Sequence, residues 1–223
     1  MKDIIVAKFG GSSLADSQQF AKAKEIIVAD PQRRFIVPSA PGKRHDKDHK
    51  ITDLLYLCHQ LASHGLGFDE VYTIIEKRYI DICTELGLNL DIKSILADIH
   101  RDIEGGASKE YTASRGEYLN AIILSNYLDF EFIDAAELIV FKKGGKFDAK
   151  ATQDKVSSRL AEVSYAVIPG FYGALPDGGI MTFSRGGSDI TGSIIARGVS
   201  AKLYENWTDV SGFLMADPKI VKN

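Results

Sequence analysis

The sequence predicts an α/β protein, a three-layer αβα sandwich around a mainly parallel central sheet. Three observations carry that reading. The first forty residues run strand, helix, strand, an order that favours a right-handed βαβ unit with parallel pairing. After a block of helices, the alternation of strand and helix resumes near residue 130 and continues towards the end of the chain. Glycine-rich turns follow several of the strands, where ligands of open α/β sheets collect.

Taken in order, residues 3–9 (DIIVAKF) read as a short buried strand. Residues 14–29 carry Leu14, Phe20, Ala21, Ala23, Ile26 and Ile27 at roughly helical spacing, and Asp30-Pro31 stops that helix. A second strand, Arg34 to Val37, is broken by Pro38 and Pro41. Residues 42–50 (GKRHDKDHK) are the most polar stretch of the sequence. His45, Asp46, Asp48 and His49 invite a metal site, but lysines are interleaved and no rigid element holds them, so a solvated mobile loop is the expectation.

Three amphipathic helices follow. The first carries Leu54, Leu55, Leu57, Cys58 and Leu61 and ends near Gly65; the second covers 69–86 and is closed by Gly87. The third has Ile92, Ile95, Leu96, Ile99 and Ile103 on one stripe. A fourth helix is expected from about Ser114, which puts Glu117 in a first turn where the helix dipole favours an acid. Next come a strand within FEFIDAAEL, a short helix at 152–162, a strand in YAVIPGFYG, and a strand in GGIMTFSRGGSD that enters a glycine turn. A helix in ITGSIIARGVSA and a strand and turn in AKLYENWTDVSG complete the reading.

Composition narrows the function classes. Of the 223 residues 45% are apolar, enough for a sizeable core, and the absence of a repeat or low-complexity linker argues for one unit over 1–223. With 27 basic and 30 acidic residues, the net charge of −3 implies neither nucleic acid nor an anionic membrane as a partner. Cys58 and Cys83 lack metal-ligand spacing and read as buried thiols of a reducing compartment. No apolar run approaches the roughly 20 residues of a membrane span, and the N-terminus does not read as a signal peptide, so the expected location is cytoplasmic.

Three polar clusters stand at strand ends. In Lys8-Phe9-Gly10-Gly11-Ser12-Ser13, the glycines let backbone N–H groups approach an anion and Lys8 adds a full charge; a plain strand-to-helix turn is the alternative. In Phe183-Ser184-Arg185-Gly186-Gly187-Ser188-Asp189, a cation and an anion flank two glycines, which suits an amino-acid zwitterion, or else forms an internal ion pair with a helix cap. In Trp207-Thr208-Asp209-Val210-Ser211-Gly212, Thr208 and Asp209 can meet a ribose or base edge, or simply make a β-turn.

In this order the clusters resemble the aspartate kinases of the amino-acid kinase family. The resemblance rests on Lys8–Ser13 (KFGGSS), Ser39-Ala40-Pro41-Gly42, Arg115-Gly116-Glu117, Pro169-Gly170-Phe171, Arg185–Asp189 (RGGSD), Trp207–Gly212 (WTDVSG) and Asp217-Pro218. It implies the amino-acid kinase fold and transfer of the ATP γ-phosphoryl to the side-chain carboxylate of L-aspartate. The products are 4-phospho-L-aspartate and ADP, at the first step towards lysine, threonine and methionine. Lys8 would contact the phosphoryl in transfer, with Gly10, Gly11 and Ser12 supplying N–H groups to the phosphates. Arg185 would hold the substrate α-carboxylate and Glu117 its ammonium, with Ser39, Thr52, Phe171 and Ser188 completing the pocket. Asp189 would orient groups at the reacting centre; Thr208, Asp209 and Lys219 (arginine in most relatives) would hold the adenosine side. ATP would bring Mg²⁺, since no all-protein metal cage is visible.

Ser184 replaces a usual glycine, and Leu214 replaces a tyrosine that often stacks near adenine. Relatives continue into further catalytic elements, including a Gly-Ala-Lys segment, and into paired regulatory ACT domains. The resemblance therefore implies a C-terminally truncated catalytic domain over 1–223, from a full-length protein that is a homo-oligomer. Two other readings stay open: a kinase of the same fold for glutamate or N-acetylglutamate, and a non-catalytic piece that binds nucleotide.

Overall fold

The run Ile-Val-Ala-Lys-Phe is buried at every position and forms β1 (Ile5–Phe9). The computed structural model describes residues 3–184 and 186–208. A 3-10 turn (Ser12–Leu14) leads into α1 (Ser17–Val28), whose start is set by Asp16: its carboxylate accepts the Gln19 N–H at 2.9 Å. β2 (Arg33–Pro38) follows, then α2 (Ile51–Ser63), α3 (Asp69–Glu85), α4 (Ile92–Glu104) and α5 (Lys109–Leu128). The remainder comprises β3 (Glu131–Phe132), α6 (Ala135–Leu138), α7 (Ala149–Ala161), β4 (Ala166–Val167), β5 (Tyr172–Ala174), β6 (Ile180–Thr182), α8 (Gly187–Gly198) and β7 (Leu203–Trp207).

Five of these strands form one sheet in the order β3-β4-β2-β1-β7, with every pairing parallel. Side-chain alternation along β1 divides the core. Ala7 and Phe9 pack with α1 to α5 on one face, whereas Val6 packs with α6, α7 and α8 on the other. That is the expected three-layer αβα sandwich. Successive crossovers place β2 on one side of β1 and β7 on the other. The carboxyl ends of all three strands therefore open on one crevice, the usual ligand position in a parallel sheet.

Several elements differ from the expectation for physical reasons. α5 begins at Lys109, five residues before Ser114, because the Ser108 hydroxyl caps it by accepting the Tyr111 N–H at 3.1 Å. Thr112 to Glu117 are all buried, so this helix has no one-sided apolar stripe to betray its start. Glu117 is consequently mid-helix rather than in the first turn, and the dipole does not favour its charge. The stretch YAVIPGFYG is not one strand. Pro169 has no N–H for the ladder, and Phe171, at φ 83°, turns the chain out of the sheet. β5 then pairs antiparallel with β6 in a separate hairpin.

The polar stretch 42–50 is also more than a solvated loop. Asp48 is buried, accepts the Arg44 N–H and Nε–H at 2.9 Å each, and accepts Arg78 Nη2–H at 2.5 Å. These hydrogen bonds, those from Arg44 foremost, hold its carboxyl below the usual range. Cys58 and Cys83 are buried free thiols, pushed up by burial to about 12 and about 11. Among the described residues, no helix is long and apolar enough to cross a membrane.

Candidate active site

Beyond the carboxyl ends of β1, β2 and β7 lies a cleft of about 450 Å³. Its walls include Lys8, Gly10, Gly11 and Ser12 after β1, Ser39 to Lys43 after β2, Lys50 and Thr52 at the start of α2, Glu117 from α5, and Thr208 after β7. Eight residues singled out from the sequence thus meet in one volume: Lys8, Gly10, Gly11, Ser12, Ser39, Thr52, Glu117 and Thr208.

The turns are stitched to one another by backbone. Gly10 donates its N–H to the Trp207 carbonyl at 2.8 Å, Ser39 donates to Phe9 at 2.9 Å, and Gly42 donates to Gly11 at 2.8 Å. The first bond engages the Gly10 N–H in an extension of the β1–β7 ladder, so that N–H is already taken within the fold. Gly11 has ordinary helical angles, φ −63° and ψ −37°, so its lack of a side chain serves packing rather than conformation. A Cβ there would stand 2.7 Å from the Ala40 carbonyl oxygen. A Cβ on Gly116 would stand 2.7 Å from that of Ala40, so this second glycine lets α5 bring Glu117 to the cleft wall.

Lys8 is buried, and its ammonium lies 2.8 Å from Asp189 Oδ1 in the first turn of α8. Asn206, paired with Lys8 across the β1–β7 ladder, donates from Nδ2 to the same oxygen at 3.1 Å. The carboxylate of Asp189 therefore fixes the lysine from beneath the cleft. Sequence reasoning missed Asn206, as well as Lys43 and Lys50. The signal for the two lysines is the charge of 42–50, which by itself points to a solvated loop or a metal site and not to a cleft wall.

Glu117 is a buried acid with one oxygen, Oε2, that has no hydrogen-bond partner among the described residues. Burial pushes its carboxyl up to about 8, against the opposing pull of the Ala40 backbone N–H and the Arg115 charge. Arg115 does not itself enter the cleft. Its guanidinium is buried over the rings of Tyr111 and Tyr118, each 4.3 Å from the ring centre. A buried acid without a full set of partners, facing a polar cleft, is suited to receive a cation.

Phe171 and Ser188 sit beside this cleft rather than on its wall. Gly187 packs on Phe171, and Gly170 packs on Ser188, so the turn after β4 and the N-terminus of α8 form one contact. Gly186 caps α8 in a left-handed conformation, φ 59°, with no side-chain cap on the helix N-terminus. Arg185, Asp209 and Lys219 lie outside the described residues. Among the described residues, no group of three or more His, Cys, Asp or Glu side chains could hold a metal ion.

Residues 3–223 match the family model of the amino acid kinase family. The chain is 37% identical over 232 residues to "Aspartokinase 3" of Bacillus subtilis (strain 168), covering 98% of this chain and 51% of that protein. The crystal structure of Clostridium acetobutylicum aspartate kinase superposes with a TM-score of 0.92 at 58% identity, over 99% of this chain and 51% of that one. E. coli aspartokinase III, solved in complex with aspartate and ADP, shares the fold at a TM-score of 0.82 and 24% identity, over 98% of this chain and 52% of that one. The chain spans about half the length of the curated relatives it matches. Its parallel sheet, its cleft at the ends of β1, β2 and β7 and this match over nearly all its length have one meaning: the chain belongs to the amino acid kinase family.

Proposed function

We propose that this chain carries the catalytic machinery of an aspartate kinase, transferring the γ-phosphoryl of ATP to the side-chain carboxylate of L-aspartate. The observation that carries the reading is the meeting of a cation and a buried acid in one cleft: Lys8 on the end of β1, and the under-bonded Glu117 on α5. The identity of 58% to the C. acetobutylicum aspartate kinase supports the choice of substrate.

In the reaction, a β-carboxylate oxygen attacks the γ-phosphorus as the bond to the ADP oxygen breaks. A carboxylate is ionised at neutral pH, so no general base is needed; the difficulty is to bring two anions together. Lys8, held by Asp189, whose carboxylate in turn accepts from Asn206, supplies the cation for the phosphoryl in transfer, and Gly11 and Ser12 supply N–H groups to the phosphates. Glu117 takes the ammonium of the amino acid, and Ser39 and Thr52 line the wall beside it. Arg185 is assigned to the α-carboxylate, with Phe171 and Ser188 placing the turn and helix end that flank it. Thr208, Asp209 and Lys219 are assigned to the adenosine side. Mg²⁺ enters as part of the MgATP substrate, held by its phosphates.

Trapping the acyl phosphate with hydroxylamine tests this. With MgATP and L-aspartate the chain is expected to yield hydroxamate, and with L-glutamate or N-acetylglutamate to yield none above background. Hydroxamate from another acid would reassign the substrate. Calorimetric binding of MgATP with no hydroxamate from any acid would replace the kinase reading with that of a nucleotide-binding piece.

A further inference from the structure

Arg78 lies on α3, is 2% exposed, and is not part of the cleft wall. Burying a guanidinium is costly unless its donors and charge are matched. The two terminal nitrogens of Arg78 reach two loops at three points, while Nε has no hydrogen-bond partner among the described residues. Nη1 donates to the carbonyls of Ala15 at 3.2 Å and Gly42 at 3.0 Å, and Nη2 donates to Asp48 Oδ2 at 2.5 Å. Ala15 closes the 3-10 turn that follows the Gly10-Gly11 cradle. Gly42 and Asp48 both belong to the connection between β2 and α2, at the start of its polar stretch and near its end. Both loops also supply residues to the cleft: Gly11 and Ser12 from the first, and Gly42, Lys43 and Lys50 from the second.

We propose that Arg78 is a positioning residue, whose guanidinium sets the spacing between the turn after β1 and the loop after β2 and docks the cationic stretch 43–50 beside them. Two carbonyls and a carboxylate converging on one point repel each other unless a cation stands between them. The planar fork of arginine satisfies three such acceptors in fixed directions, which a lysine ammonium on a flexible stem does not. The Gly42-to-Gly11 hydrogen bond of 2.8 Å lies on the cleft side of this point, so the fork acts on the anion-binding backbone without touching a ligand. Asp48 has a second partner in Arg44, which bonds it through its backbone N–H and its half-exposed guanidinium. Arg44 thus holds the carboxylate within its own loop, whereas Arg78 ties it to α3.

The effect on ligand affinity rests on the reading of the cleft as a nucleotide site; the effect on the loops does not. Amide exchange and MgADP calorimetry on the whole chain separate the two. In Arg78→Lys the Gly42 and Leu14 amides, both bonded to the Gly11 carbonyl, are expected to exchange about ten- to a hundredfold faster, the loss of one charge-assisted hydrogen bond. Amides in the middle of α5 are expected to keep their rates, and MgADP affinity to fall about tenfold. Lys77→Ala, on the same helix but exposed, is expected to change neither. Should Arg78→Lys fail to fold, Asp48→Asn removes the carboxylate and leaves the carbonyl contacts; it is expected to speed exchange in 43–50 and weaken MgADP in the same way. Equal acceleration in the cleft loops and in α5, or unchanged cleft amides, would overturn the proposal. Failure of the unaltered chain to bind MgADP would refute the nucleotide reading, while the exchange data would still decide the role of Arg78.

Discussion

The ammonium of Lys8 and the carboxylate of Asp189 stand 2.8 Å apart, joining the end of the first strand to the first turn of the last described helix. The lysine is buried, with 8% of its side chain exposed against 40% for the aspartate, so the pair points its cation inward and its anion partly to water. Lys8→Ala is expected to lower kcat by about 10²–10³, as for removal of one preorganised electrostatic donor. Asp189→Ala is expected to act through the same lysine, so the double variant should lose much less than the product of the two single losses. The hydroxamate assay measures both, and a Lys8→Ala variant with near-normal kcat would remove the lysine from the reaction.

Glu117 predicts a pH dependence of substrate binding. Its carboxyl, pushed up by burial to about 8, is mostly neutral at pH 7, whereas an ammonium ligand is attracted by the ionised form. Tyr56 and Tyr79 face it from α2 and α3, and Arg115 lies on its own helix. Below pH 8 the apparent affinity for the amino acid should therefore rise by about tenfold per pH unit and then level off. In Glu117→Gln the KM for aspartate should be raised and this pH slope lost, with kcat less affected. A slope that survives the substitution would assign the titration to another group.

The same carboxyl makes a stability prediction of opposite sign. Because the folded value is raised from 4.5 to about 8, the folded state keeps a proton that the unfolded chain releases in that window. Stability is therefore full below about pH 4.5, declines as pH rises, and is lowest above 8. Denaturant titration of the unliganded chain should show Glu117→Gln gaining on the unaltered protein from pH 5 to 8, by on the order of a few kcal/mol. A constant gap across that range would contradict a buried neutral acid.

Gly10 and Gly11 are adjacent yet should respond differently to alanine. A Cβ at position 11 meets the Ala40 carbonyl oxygen at 2.7 Å, whereas at position 10 the nearest atom, the Trp207 carbonyl oxygen, is 3.4 Å away. Gly11→Ala is expected to cost about 1–3 kcal/mol by overpacking, and to weaken nucleotide binding as the two loops separate. Gly10→Ala should cost clearly less. Thermal unfolding of the two variants side by side tests the contrast.

The elements that were legible in the sequence are those whose signals are local. Ile4 to Phe9 is a short apolar run before glycines, and Ile92, Leu96, Ile99 and Ile103 mark α4 by spacing alone. Ser108 and Asp16 are also local signals, but each needed a neighbouring pattern to be noticed. For α5 that pattern was absent because the helix is buried on most of its circumference. The hairpin of β5 and β6 escaped for another reason: apolar runs that leave a sheet look the same as runs that stay in it until Phe171 turns the chain.

Chain order and residue type alone determined the alternation of strands and helices, the parallel sheet, and the assembly of lysine, glycines and acids at strand ends. Through those motifs they also pointed to the family. They did not determine which polar groups remain for a ligand, because that depends on partners far away in the chain. Trp207 takes the Gly10 N–H, Asp189 and Asn206 converge beneath Lys8, and Arg78 draws Asp48 out of water. Burial pushes the Glu117 carboxyl up to about 8, although the sequence offers an ordinary glutamate. Hydrogen bonding and desolvation act through space over a few ångströms, and only the packed fold sets those distances.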